Sequence, residues 1–215
     1  MTYLVTNCFD WVGFHIVNRL LHDGNEVIGI DKMDTEKKEN LALFIGRNSA
    51  FRHEEEIGNN VNDEMTAIYH ISDQIERSKE LASISARNNI NIKFSKKSKP
   101  FHNDWTTIVC PILCGEWMER DDEGFYWGDE YIRFDSRRFD DEVIYIDDFI
   151  SWLFQLENSN IKAREIRLHS NQMTGNGTDR ASDLYLCQRK SPDRCKRLLH
   201  EHYRNFRNLY NVTNM

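Results

Sequence analysis

The stretch Tyr3-Leu4-Val5-Thr6-Asn7-Cys8-Phe9-Asp10-Trp11-Val12-Gly13-Phe14-His15-Ile16-Val17-Asn18-Arg19-Leu20-Leu21, with Gly24 and then Glu26-Val27-Ile28-Gly29-Ile30-Asp31, decides the fold. Tyr3 to Val5 is a short apolar run of buried-strand type, and Val12 to Leu21 repeats apolar residues at helical spacing. Gly24 supplies a helix stop, and Glu26 to Ile30 is a second strand that ends at Asp31. Strand, turn, helix and strand in that order form a βαβ unit, whose crossover is right-handed and whose strands are parallel. The expected fold class is therefore α/β: a Rossmann-like doubly wound, mostly parallel sheet flanked by helices, with a small irregular lobe.

Working outward, Ala67 to Ile71, Ile90 to Phe94, Thr106 to Ile112, Val143 to Ile146 and Ile166 to Leu168 read as further strands, and Asp73 to Arg87 as a helix. Residues 32 to 65 are polar and show weak periodicity, while 116 to 141 are acidic, aromatic and irregular, as suits an insertion or lid. Asp147-Asp148 can cap a helix running through Leu156. Ser191-Pro192-Asp193 starts a C-terminal helix over 191–210, with Cys195, Leu198, Leu199, Tyr203, Phe206 and Tyr210 on one apolar face. One Rossmann-like domain over 1–215 accommodates all of this.

Composition narrows the classes. The 215 residues are 40% apolar and 12% aromatic with only 3 prolines, which excludes a disordered or collagen-like chain. No run approaches the ~20 apolar residues that span a bilayer. A net charge of −7 disfavours nucleic acid and anionic membranes as partners of the whole surface. The five cysteines contain no CxxC and the amino terminus has no export signal, so a cytoplasmic protein with reduced thiols is expected. The sequons at Asn176 and Asn211 then carry no glycan.

The stretch Leu4 to His15 resembles the TGxxGxxG opening of the extended short-chain dehydrogenases, the nucleotide-sugar epimerases and dehydratases. Three later segments resemble the same family in the same order. These are Ile68-Tyr69-His70-Ile71, Ile108-Val109-Cys110-Pro111 through Gly115, and Val143-Ile144-Tyr145-Ile146-Asp147-Asp148. The resemblance implies NAD as cofactor, held by Thr6, Asn7, Phe9, Asp10, Trp11, Val12, Gly13, Asp31 and Ile71 if any binding is retained. It also implies pairing of two copies as a homodimer.

Departures from the family pattern are as informative. Its three glycines give a tight turn, an approach to the pyrophosphate and close helix–strand packing. Here those places hold Asn7, Asp10 and Gly13. Asn7 tolerates a left-handed backbone and Gly13 keeps the packing contact, but Asp10 puts a carboxylate where the phosphates would sit. One like-charge contact at ~4 Å costs roughly 4 kcal/mol at an effective dielectric of about 20. Asp10 also reads as a helix cap, which would make it an internal stand-in for the phosphate. Asp31 falls where the family binds the adenosine ribose, and equally where an ordinary loop aspartate would.

The family's Tyr-x-x-x-Lys couple is absent, and the span between Ile71 and Thr106 is too short for the strand and helix that carry it. No catalytic residue is assigned. A working enzyme would have to recruit Tyr69, Tyr126 or Tyr145. The substrate clamps are lost as well, with Cys110 and Asp141 in place of two arginines, unless Arg137 or Arg138 substitutes. The expected function is a catalytically inactive epimerase-like protein with a binding, regulatory or assembly role and no NAD or weakly bound NAD. The alternative is an active NAD-dependent epimerase or reductase with rearranged residues.

Other constellations carry less. His200 and His202 with Cys195 point to different helix faces, so no metal is expected. Cys110 and Cys114 read as buried thiols, and Gly175-Asn176-Gly177 lacks the Lys-Ser/Thr of a phosphate loop. From Arg180 onward eight basic residues face Asp183, Asp193 and Glu201. That is either a solvated helix face or a dock for an acidic protein partner, a neighbouring subunit or nucleic acid.

Overall fold

The computed structural model describes residues 1–58, 64–72, 78–95, 101–102, 104–159, 163–170 and 183–210. The first part of the helix expected from Asp73, the basic loop 96–100, the glycine turn 175–177 and both sequons lie outside them. In chain order the elements are β1 (Thr2–Thr6), α1 (Trp11–His22), β2 (Glu26–Ile30), α2 (Glu36–Ile45), β3 (Phe51–Glu54), β4 (Met65–Ile71), α3 (Ser78–Ala82), β5 (Ala86–Lys93) and β6 (Thr106–Val109). They continue with β7 (Leu113–Cys114), β8 (Gly124–Trp127), β9 (Glu130–Arg133), α4 (Arg137–Glu142), β10 (Ile144–Tyr145), α5 (Ile146–Glu157), β11 (Glu165–Ser170), β12 (Asp183–Leu186) and α6 (Pro192–Tyr210).

The chain forms two compact units, Met1–Ile108 with Lys162–Glu165, and Val109–Ile161 with Ile166–Met215. In the first, the central sheet runs β6-β5-β4-β1-β2-β3, the strand order of a doubly wound dinucleotide fold. β1 lies parallel to β2 and β4, β2 to β3, and β4 to β5 with His70 opposite Asn91. Parallel strands are covered on both faces, which explains why Leu4, Val5, Ile30, Ile68 and Tyr69 are fully buried. Helix α1 packs Val12, Gly13, Phe14, Ile16, Val17, Leu20 and Leu21 inward and stops at Gly24 with φ +78°. Leu4, Ile28, Ile30, Met65, Ile68, Leu81, Phe101 and Trp105 build one core cluster of this unit.

Three expectations need correction. Residues 32 to 65 hold a helix and an edge strand, α2 and β3, which weak periodicity concealed. The helix read to Arg87 ends at Ala82, because Ala86 already pairs with Met65 as the first residue of β5. Asp147 and Asp148 occupy the first turn of α5 without capping it. Tyr145 is the N-cap residue, and the two carboxylates accept instead from Lys190 Nζ (2.9 Å) and the Arg189 amide (3.1 Å).

In the second unit β11 pairs with β12 and β7 with β10, both in parallel, and β8 with β9 forms an antiparallel hairpin. Phe125, Phe134 and Phe139 pack beneath that hairpin at centroid separations of 5.5 to 6.3 Å. Helix α6 begins as expected, with Ser191 accepting from the Arg194 amide and Pro192 in the first position. It is anchored by Trp117, whose amide donates to Tyr210 Oη at 2.7 Å and whose ring meets His202, Phe206 and Tyr210. No helix among the described residues is long and apolar enough to cross a membrane.

Candidate functional site

The residues expected to cradle a cofactor do meet, at the β1–α1 turn and the carboxyl ends of β2 and β4. Asn7 adopts φ +50°, and its Nδ2 donates to the Ile71 carbonyl at 2.6 Å, which ties β1 to β4 across the turn. A Cβ on Gly13 would lie 2.1 Å from the Asn7 carbonyl oxygen, so only glycine lets α1 sit this close to the strand end. Thr6 Oγ1 lies 2.7 Å from His70 Nδ1 and accepts from the Ile71 amide. Phe9 is buried against Phe51 and His53, Trp11 meets His15 edge-on, and Val12 is buried in α1. The turn geometry of a dinucleotide cradle is thus preserved by asparagine and one glycine.

Its charge is arranged differently from expectation. Asp10 is the N-cap residue of α1, yet its side chain accepts no amide of the first turn, so it does not stand in for a phosphate there. Lys38, on α2, draws it away: Nζ lies 3.8 Å from Asp10, 2.9 Å from Asp31 Oδ1 and 3.2 Å from Asp34. Asp31 is buried, and its other oxygen accepts from the Phe9 amide at 2.9 Å. The carboxylate that the resemblance assigns to ribose hydroxyls is therefore already held on both oxygens.

The Coulomb attraction at the Lys38–Asp10 distance is of the same order as the phosphate repulsion expected of Asp10, and solvent screens both because half of the Asp10 side chain is exposed. Burial and the neighbouring Asp31 and Asp34 push the Asp10 carboxyl above its ordinary range against the pull of Lys38 and Lys37. Burial pulls the Lys38 ammonium down, but bonds and charge from Asp31, with Asp10 and Asp34, carry it above its usual value. Sequence reasoning missed Lys38 because it sits in a Lys/Glu run of solvated-face type. The one available signal was the Thr35 cap, which accepts from the Lys38 amide and starts α2.

The three phenols nominated for acid/base work differ sharply. Tyr69 is fully buried and stacked on Tyr3, 6.3 Å between centroids. Tyr126 is 53% exposed on the hairpin, beside Tyr131. Tyr145 donates to Glu116 Oε1 at 2.5 Å, and burial followed by the Glu116 charge pushes its pKa far above that of an ordinary phenol. The replacement clamps are engaged too: Arg137 bonds Asp141, and Arg138 bonds Glu142 and Glu130.

The five cysteines are free. Burial raises the Cys114 thiol well above its usual value and takes Cys195 up to about 11, so neither is a ready nucleophile. His200 and His202 are apart in environment, the first against Phe134 and Arg120, the second against Trp117 and Tyr210.

Together, the strand order and the β1–α1 turn define a Rossmann-like α/β protein. It has the fold of NAD-dependent nucleotide-sugar epimerases and dehydratases. UDP-glucuronic acid 4-epimerase from Bacillus cereus, solved in complex with NAD, matches over 99% of both chains with a TM-score of 0.67 and 13% identity. WbmG from Bordetella bronchiseptica, in complex with NAD, matches over 99% of this chain and 96% of that one, with a TM-score of 0.62 and 8% identity. dTDP-glucose 4,6-dehydratase from Bacillus anthracis, in complex with NAD, matches over 98% of both chains with a TM-score of 0.59 and 8% identity. At these identities the likeness is one of fold. No family model matches the chain, and no curated protein sequence matches it significantly.

Proposed function

We propose that this chain is a catalytically inactive, epimerase-like protein with a binding, regulatory or assembly role in the cytoplasm, with NAD bound weakly or not at all. The state of Tyr145 carries this reading. An acid/base tyrosine in such a fold needs a cation that lowers its pKa, whereas Tyr145 is locked on Glu116 and driven upward. Neither a core-bound Tyr69 nor a hairpin Tyr126 offers a replacement. Weak cofactor binding follows from Asp31, because a ribose would compete with Lys38 and the Phe9 amide for the same carboxylate.

A second reading, an active NAD-dependent epimerase or reductase with rearranged residues, draws on one contact. Lys190 Nζ lies 4.6 Å from the Tyr145 ring centroid. It meets the face of the ring rather than the hydroxyl, and it donates to Asp147.

The test is thermal melting with NAD, together with NADH absorbance when NAD and UDP-glucuronic acid are supplied. A ligand at 100 times its dissociation constant stabilises by about 2.7 kcal/mol, which moves Tm by several degrees. The expected result is no such shift at sub-millimolar NAD and no NADH signal. NADH formation that disappears in Tyr145→Phe would establish the second reading instead.

A further inference from the structure

In the second unit, α6 and the turn carrying Asp122 enclose a groove of about 480 Å³ lined by Asp122, Arg197, His200, Glu201, Tyr203, Arg204 and Arg207. The groove is electropositive inside a chain of net charge −7. Arg207 is paired with Asp122 at 2.8 Å, but Arg197 and Arg204 have no ion pair among the described residues. Both are exposed, so their forks are available.

A second observation lies directly behind the groove wall. Arg120 is 6% exposed, with its guanidinium 4.4 Å from the Phe134 centroid and 4.5 Å from that of Tyr203. Its Nε donates to the Asp121 carbonyl and its Nη2 to His200 Nδ1 at 3.1 Å, while Nη1 is buried with no acceptor among the described residues. A guanidinium has no acceptor atom, so the Nδ1 of His200 must be the acceptor. The neutral ring therefore carries its proton on Nε2, and His200 brings an N–H donor to the groove between the two unpaired arginines.

The geometry points to an anion site in this groove for a small phosphate-bearing ligand, held by the forks of Arg197 and Arg204 and the Nε2–H of His200. Arg197 and Arg204 are separated by about 10 Å of helix, so the donors are strung along the groove rather than gathered at one point. A carboxylate has two oxygens for these three groups; a phosphate or pyrophosphate has enough to satisfy each, and bidentate guanidinium contacts favour it. Asp122 and Glu201 in the same wall disfavour a long polyanion such as nucleic acid, which gains affinity by neutralising many phosphates over an uninterrupted basic surface.

Pyrophosphate and inorganic phosphate are the probes, titrated against the full chain at low salt while the His200 ring is followed by NMR. His200 starts below its usual pKa because of burial and the charges of Arg120 and Arg204. Bound anion is expected to raise that pKa, and Arg204→Ala is expected to weaken pyrophosphate binding about tenfold. Arg197→Ala, at an equally exposed position, gives the same reading if Arg204→Ala does not fold. The response of the His200 ring itself, which lines the groove, separates this binding from any at the nucleotide cradle. An unmoved His200 in millimolar pyrophosphate overturns the assignment. So does undiminished binding in both arginine variants, or tighter binding of an oligoglutamate peptide than of pyrophosphate.

Discussion

At the β1–α1 turn three carboxylates share one ammonium, whereas along α6 two guanidiniums have no carboxylate partner among the described residues. The cradle keeps the backbone of a dinucleotide site and fills its charged positions from within, with Lys38 on Asp31. In the groove Asp122 is seated on Arg207, while Arg197 and Arg204 have no carboxylate partner among the described residues and present their charge to solvent. A site's shape and its vacancy are thus separate properties: Asn7 and Gly13 preserve the first in the cradle, and Lys38 removes the second. An anion has more to gain where no counter-charge is already seated.

The largest effect should come from breaking the internal pairing. In Lys38→Met, Asp31 is left buried with the Phe9 amide as its remaining partner, a loss of about 3–5 kcal/mol and a fall in Tm of roughly 10 °C. The folded pKa of Lys38 is raised above 10.5, so its stabilisation is fully present below pH 10.5 and is lost only as pH rises through the folded value. The deficit of the variant is expected to be constant across neutral pH and to close in alkali. An unchanged Tm at pH 7 would show that the three carboxylates do not depend on Lys38.

Next is Gly13→Ala, which tests the shape rather than the charge. The added Cβ meets backbone, 2.1 Å from the Asn7 carbonyl oxygen, and neither α1 nor the turn can yield without disturbing β1. About 3 kcal/mol is expected, read as a lower denaturant midpoint with an unchanged slope. A midpoint equal to the parent's would mean that the turn at Asn7 relaxes freely.

A smaller contrast of the same kind lies inside the sheet. Thr6 Oγ1 lies 2.7 Å from His70 Nδ1, but Asn91, paired with His70 in register, is fully buried and neither of its amide atoms has a hydrogen-bond partner among the described residues. Asn91→Leu should therefore stabilise by about 1–2 kcal/mol, since it removes an uncompensated polar group of similar volume. Destabilisation would reveal a partner that the amide serves in solution.

These contrasts also show what the sequence could disclose. β1, α1 and β2 were legible because each buries nearly every apolar residue it has, and α6 because Ser191-Pro192 and a five-turn apolar stripe announce it. α2 was not, since it buries only Leu41 and Ile45 and leaves Leu43 and Phe44 exposed. With α2 went Lys38, the residue that changes the meaning of Asp10 and Asp31. β5 was clipped because Arg87, Asn88 and Asn89 are poor strand formers, held there by pairing with β4. The groove escaped for a different reason: a count of basic residues gives their excess but not which of them lack partners.

The smallest effect concerns Asp10, where the sign separates two forces of similar size. Its folded pKa is raised above 3.8, chiefly by burial, so ionisation at neutral pH costs the fold stability despite the pull of Lys38. The penalty is absent below pH 3.8 and grows as pH rises through the folded value. Asp10→Asn should accordingly raise Tm at pH 7, by only about a degree because half of the side chain is in solvent and screened. That gain should vanish when both proteins are melted below pH 3.8. A fall in Tm at pH 7 would mean that the attraction of Lys38 outweighs desolvation. Asp10 would then be a working member of the internal pairing and not a tolerated charge at its edge.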